Sequence, residues 1–176
     1  MIKYQCWNCG AHNEVAHIKT GKCNHCAHVI PPERVYMAYF LDVDAHTLKM
    51  VAIDRHNSLN MIYDLLGCRH IDAVRLDETH VAYCDDEGLL REELPCFTTI
   101  EGMPHPLAGN LLFVGTNAHG DDCAPSMSLV ELQSRLMITR GVFSPLLENI
   151  QTDDAVGVQL RALTLRPVTS APAICA

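Results

Sequence analysis

The chain has 176 residues, of which 48% are hydrophobic, 19% charged and 6% aromatic. That supplies one ordinary core with a small appendage and excludes disorder throughout. No apolar run approaches the roughly 20 residues that span a bilayer, and Met1–Cys9 lacks the apolar stretch of a secretory signal, so a cytoplasmic protein is expected. The formal charge of −8 is uneven: residues 1–30 carry Lys3, Lys19 and Lys22 against Glu14, a net of +2, which leaves −10 for the rest. An acidic body repels phosphate backbones, so a protein partner is expected ahead of nucleic acid.

Residues 1–31 are predicted to form a zinc ribbon. Cys6-Trp7-Asn8-Cys9 and Cys23-Asn24-His25-Cys26 are two C-x-x-C knuckles separated by Gly10–Lys22. Each knuckle places two thiolates at adjacent corners of a tetrahedron, and two knuckles close the site around one structural Zn²⁺ with no position left for substrate. The nine cysteines are an odd count in a chain without a signal, which disfavours a disulfide framework. His12, His17, His25 and His28 stand near enough in sequence to compete as ligands, but four cysteines are the simpler set. Gly10 after the first knuckle admits the close backbone approach such turns need, whereas Ala27 after the second is less permissive. The five other cysteines, Cys68, Cys84, Cys96, Cys123 and Cys175, lack ligand spacing. Trp7, Lys19 and Lys22 offer stacking and cationic contacts, a weak footprint for nucleic acid.

Pro31-Pro32 marks a boundary, and residues 33–140 are predicted to be an α+β domain with a mainly antiparallel sheet and two or three short helices. Val35–Val43 and Leu48–Ile53 read as a hairpin turning at Asp44-Ala45-His46. Asn57 or Ser58 caps a helix with Leu59, Ile62, Leu65 and Leu66 on one face, and Gly67 stops it. Strands follow over Ile71–Leu76, His80–Cys84 and Leu111–Val114. Ser128-Leu129-Val130-Glu131 is a capping box, opening a helix that Leu129, Leu132 and Leu136 line and Gly141 ends. Residues 141–166 are expected to add a short helix from Ser144-Pro145 and a strand in which Val156, Val158 and Leu160 alternate with polar positions. Residues 167–176 are expected to be a loose tail.

Catalytic patterns fail on inspection. His12-Asn13-Glu14 before Cys23-x-x-Cys26 echoes the zinc deaminases, but the spacing is too short and Cys6 and Cys9 would be left unexplained. Gly115–Gly120 has P-loop glycine spacing, with Asp121-Asp122 standing where lysine and serine or threonine are required. Asp85-Asp86-Glu87, with His80 or His119, is the densest group able to hold a hard cation or perform acid–base chemistry, but adjacent residues of a strand point to opposite faces, so a solvated turn is the expected reading. His105 between two prolines reads as an exposed loop residue. No catalytic residue is assigned, and the chain is expected not to be an enzyme.

From Val35 to Leu132 the chain resembles a family of small domains of unknown function common in bacteriophages, plasmids and other mobile elements. The likeness rests on the initial hairpin, the helix Leu59–Gly67, the strand from Ile71, Asp85-Asp86-Glu87-Gly88-Leu89-Leu90, Leu94-Pro95, Gly109–Gly115 and Ser128-Leu129. Cys68 stands where the family has a second glycine, and no asparagine follows at Cys96-Phe97. The resemblance implies a mobile-element origin and carries over no catalytic residue. The expected function is that of an accessory protein in a bacterial cell that binds a host or competing-element protein and inhibits a defence system, with a nucleic-acid-binding regulator as the alternative. Asp85, Asp86 and Glu87 join Trp7, Lys19 and Lys22 as the candidate binding surface.

Overall fold

The structure, a computed structural model, describes residues 4–6, 9, 11–13, 22–28, 32–90, 96–151 and 156–175. Strands β1 (Tyr4–Gln5) and β2 (His12–Asn13) pair antiparallel beside the cysteine knuckles. After a 3-10 turn at Pro32–Arg34 come β3 (Val35–Asp42) and β4 (Thr47–Asp54), in register from Val35↔Asp54 to Asp42↔Thr47. Helix α1 (Ser58–Leu66) ends on Gly67 at φ 65°, where the Gly67 N–H donates to the Tyr63 carbonyl; a side chain there would strain this left-handed stop. Then follow β5 (Ile71–Arg75), β6 (His80–Asp85), β7 (Phe97–Ile100), β8 (Leu107–Ala108), β9 (Leu111–Thr116) and β10 (Asp122–Cys123). Helix α2 (Leu129–Ser134) leads into β11 (Leu136–Gln151), β12 (Val156–Ser170) and β13 (Ala173–Cys175).

Two larger sheets result. One runs β13-β4-β3-β9-β6-β5, with β10 on the end of β9; the other runs β12-β11-β7-β8. Among the described residues all pairs are antiparallel except β13 on β4. Helix α1 covers one face of the first sheet, where Tyr36, Ala38, Phe40, Leu112 and Val114 meet Ile62, Leu65 and Leu66. The second sheet and α2 cover the other, where Leu41, Leu111 and Phe113 meet Ile100, Leu132, Leu136 and Ile138. Burial on both faces is why β3 and β9 read as nearly continuous apolar runs, without the alternation of a half-exposed strand.

The α+β expectation is corrected: among the described residues, with 52% strand against 12% helix and two α-helices, the fold is mainly β. The helix opened by Ser128, whose Oγ accepts the Glu131 N–H, stops at Ser134. Leu136 and Gly141, expected within or ending that helix, both belong to β11. The helix expected from Ser144-Pro145 is also β11, and Pro167 lies in β12. Proline is tolerated on open strand edges, and among the described residues β11 has no neighbour on its β7 side past Thr139, while β12 pairs with β11 alone. The expected loose tail is docked as well, since Ala173–Cys175 pairs with Thr47–Lys49 and the Gln133 amide donates to the Pro172 carbonyl. Leu59, placed by its spacing on the buried face of α1, is 53% exposed.

Candidate functional site

Cys6 and Cys23 are almost fully buried, at 1% and 2% exposure, and pack with Cys26 and Val35, the first residue of β3. The local backbone turns each knuckle inward. The Cys6 N–H donates to Ala11, the Cys23 N–H to His28, and the His25 N–H points at the Cys23 Sγ from 3.4 Å. Ala27 takes the left-handed conformation at φ 56°, so the turn forms there despite the Cβ noted from sequence.

The four Sγ atoms of Cys6, Cys9, Cys23 and Cys26 all lie within 4.8 Å of one another. The Cys6–Cys26 and Cys9–Cys23 separations are both 3.8 Å. A disulfide needs about 2.05 Å, whereas thiolates bound about 2.3 Å from a tetrahedral centre stand about 3.8 Å apart. The cluster therefore fits a metal ion. The Ala11 N–H lowers the Cys9 pKa, but desolvation and the thiols of Cys26, Cys6 and Cys23 outweigh it and push it up to about 12. A cation at the centre reverses that crowding by favouring thiolates. Of the residues expected to offer a nucleic-acid surface, Lys22 is exposed, while Trp7 and Lys19 lie outside the described residues, as does His17.

Asp85, Asp86 and Glu87 form a turn. The Gly88 N–H donates to the Asp85 carbonyl, the Glu87 N–H to Asp85 Oδ1 and the Asp86 N–H to the His70 carbonyl, while Glu87 Oε2 sits 3.3 Å from His70 Nδ1. A Cβ at Gly88 would stand 3.2 Å from the Asp85 carbonyl oxygen, which ties this glycine to the acidic turn. Beside the turn opens a cleft of about 370 Å³, lined by Gly67, Cys68, Arg69, Asp85, Glu87 and Leu90. His80 does not join these carboxylates. It is buried on the other side of β6, its Nδ1 2.9 Å from both Asp77 oxygens, while Nε2 accepts the backbone N–H groups of Ser126 and Met127. Since backbone N–H can only donate, the ring proton sits on Nδ1, and His80 clamps the β5–β6 turn to the segment before α2. Burial works against the Asp77 carboxylate, but the Thr79 N–H and the His80 ring hold its pKa below the ordinary value.

A second polar cluster escaped sequence reading because its members lie far apart in the chain. The hydroxyls of Tyr36 and Tyr83 donate to the Asp122 carboxylate, at 3.3 and 3.1 Å, and the Arg55 guanidinium stacks 4.9 Å from the Tyr36 ring while donating to the Asp122 carbonyl. Burial, and after it the Asp122 charge, pushes the Tyr83 pKa up to about 12 and Tyr36 higher still. Because these folded values exceed the unfolded value of about 10, the associated stability is fully present below pH about 10 and is lost as pH rises through about 12. An ultraviolet titration should show part of the tyrosine absorbance ionising only near or above that pH. Asp122→Asn should bring the Tyr83 step downward, and an unmoved step would reject the carboxylate's part in it.

Among the described residues, the β11–β12 hairpin projects beyond the strands that pair with it. Past Thr139 it extends for twelve residues of β11, about 40 Å at the usual strand rise. Phe143 pairs with Leu165, Pro145 with Leu163 and Leu147 with Leu160. The register shifts between Leu146 and Leu147, where Arg161 is the extra residue on β12. A one-residue slip exchanges the two faces of a strand, so the bulge brings Val158 and Leu160 to the face that already holds Leu163 and Leu165. Phe143, Leu147, Val158, Leu160, Leu163 and Leu165 thus share one face, each 51–62% exposed. The other face carries Arg140, Arg166, Ser144, Thr164 and Glu148, which pairs with Arg161 at 3.1 Å, together with the exposed Leu146 and Val168. Sequence alternation located the start of β12, but only the register reveals the bulge.

Among the described residues, no helix is long and apolar enough to cross a membrane. A family model described as Domain of unknown function (DUF3846) matches residues 37–136, from β3 to the first residue of β11. The cysteine cluster and the projecting hairpin both lie outside that unit. "Uncharacterized protein y4iR" of Sinorhizobium fredii is 29% identical over 119 residues, covering 68% of this chain and 72% of that protein. "Protein PsiB" of Rhizobium leguminosarum bv. phaseoli is 33% identical over 89 residues, covering 51% of this chain and 66% of that protein, just under two thirds of its length. No solved structure matches.

Proposed function

We propose, from the premise that this chain belongs to the DUF3846 family of domains of unknown function, that it is a non-enzymatic, zinc-containing accessory protein of a plasmid or other mobile element and acts by binding protein. The observation that carries this role is the apolar face of the β11–β12 hairpin. Six aliphatic and aromatic side chains more than half exposed on one ribbon exceed the scattered apolar residues of an ordinary surface. Support for a bacterial setting comes from the two rhizobial relatives. The net charge of −8 supports a protein partner over nucleic acid.

Zinc is the metal that four cysteine thiolates at tetrahedral spacing favour, and a site closed by four protein ligands holds structure and performs no chemistry. Its task in this protein is to hold Cys6, Cys23 and Cys26 against the start of β3. The partner is a protein of the bacterial host or of a competing element, and its inhibition, as a component of a defence system, is the outcome that serves a mobile element. Affinity capture from a rhizobial lysate should retain at least one host protein in stoichiometric yield on the native chain and lose it on the double variant Leu163→Asp/Leu165→Asp. A native chain that retains nothing would reject this role.

A further inference from the structure

We infer that the apolar face of the hairpin is covered by a second copy of this chain, so that the protein is a two-fold dimer joined ribbon to ribbon. This rests on the protein-binding role proposed for the hairpin and names a second copy as the protein that covers it, with which a host protein bound to the same face competes. A two-stranded ribbon with nothing on either face is marginal in water. Here the ribbon past Thr139 has neither a third strand nor a helix over it among the described residues. Such an element needs its cover whenever the chain is folded, and the one surface always present at matching concentration is the same ribbon on another copy.

Area and composition agree with this. Phe143, Leu147, Val158, Leu160, Leu163 and Leu165, each about half exposed, offer on the order of 500 Å² together. Two copies then bury about 1,000 Å² from these side chains alone, the level a specific interface must reach. Among the described residues no charged residue belongs to that face, while Arg140, Arg166 and Glu148, with Arg161 paired to it, occupy the opposite one. Charge depletion at the centre is the pattern of permanent interfaces. The bulge at Arg161 matters for the same reason, because without it Val158 and Leu160 would turn to the charged face and the patch would lose its distal third.

An isologous contact brings the residue nearest the two-fold axis against itself. The Pro145–Leu163 pair lies at the middle of the patch, so Leu163 should meet Leu163 of the second copy. Light scattering on the eluting native protein should give twice the 19.5 kDa of one chain. Leu163→Lys and Leu163→Glu should each elute as monomers, and an equimolar mixture of the two should recover the dimer. Thr164→Lys, on the other face, should remain dimeric and shows that a charge on the ribbon does not itself unfold it. A native monomer at tens of micromolar overturns the dimer, as does a dimer that survives both Leu163 variants. If the monomeric protein still captures a host protein in a Leu163-dependent way and does not float with lipid vesicles, the hairpin has a different protein occupant and only the dimer falls. If it captures none, or floats with the vesicles instead, the protein-binding role of the hairpin falls with it.

Discussion

Removing the metal from Cys6, Cys9, Cys23 and Cys26 should unfold the β1–β2 pair and the turn at residues 22–28 and leave the two-sheet core standing. Besides its thiols, the described part of the module is joined by a two-residue strand pair, turn hydrogen bonds and contacts with Val35 and β4. A segment of that size buries too little surface to offset its chain entropy. Structural zinc supplies on the order of 10 kcal/mol in comparable small modules, so the site and the local fold should disappear together. The core depends on other contacts, with Leu41, Leu111, Phe113 and Ile138 packing between the sheets and α1 closing the opposite face.

Native chain should therefore release one metal ion per molecule, the proposed zinc, to a chelator and lose hydrogen-exchange protection at residues 4–6, 11–13 and 22–28. The main thermal transition should move by no more than about 2–4 °C, the shift expected for roughly 1 kcal/mol in a chain of this size. Cys6→Ser should reproduce the chelated state without chelator. Collapse of the whole protein on metal loss would show that the module is part of the core, and a metal-to-chain ratio near zero in freshly purified protein would remove the zinc site itself.

What was legible in the sequence followed from local rules. Paired knuckles announce a metal cluster because the ligands are close in the chain. The β3–β4 hairpin and the Gly67 stop depend on neighbouring residues and turn chemistry, and both appear where their spacing placed them. The errors arose where distant contacts decide. Leu129, Leu132 and Leu136 fit one helical face, yet Leu136 pairs with Ile100 and starts β11, so the three reach the same core from a helix and a strand. Pro145 reads as a helix start by its own preference, but the open edge of the hairpin accepts it. β7 offered only Thr98, Thr99 and Ile100 as β-branched signals over four residues, and β13 exists only because β4 has an edge to receive it.

The same distinction limited the site. The four metal-binding candidates were readable from spacing, and their mutual distances agree. Asp122 sits beside Asp121 in a motif tested as a phosphate loop, and nothing local reveals that Tyr36 and Tyr83 would donate to it. The hairpin face was hidden for a different reason: its apolar residues change parity between Leu160 and Leu163, which reads as broken alternation until the bulge at Arg161 restores it.

Phe113→Ala should be the most damaging single truncation in the core, costing about 3–5 kcal/mol. Phe113 is 2% exposed and lies on β9, which hydrogen-bonds to β3 on one side and β6 on the other. Its ring occupies the space between sheets in a cluster that includes Ile100, Leu136 and Ile138. Neither sheet can close over the vacancy without disturbing a strand pairing, so most of the lost volume should remain a cavity. With urea dependence near 2 kcal/mol per molar, the unfolding midpoint should fall by roughly 1.5–2.5 M at unchanged slope. Leu59→Ala, on the exposed side of α1, should change stability by less than about 0.5 kcal/mol. Because Leu136 and Ile138 also form the root of the projecting hairpin, Phe113→Ala should weaken association at temperatures where much of the core remains folded. Equal stability losses for Phe113→Ala and Leu59→Ala would contradict a core centred on β9.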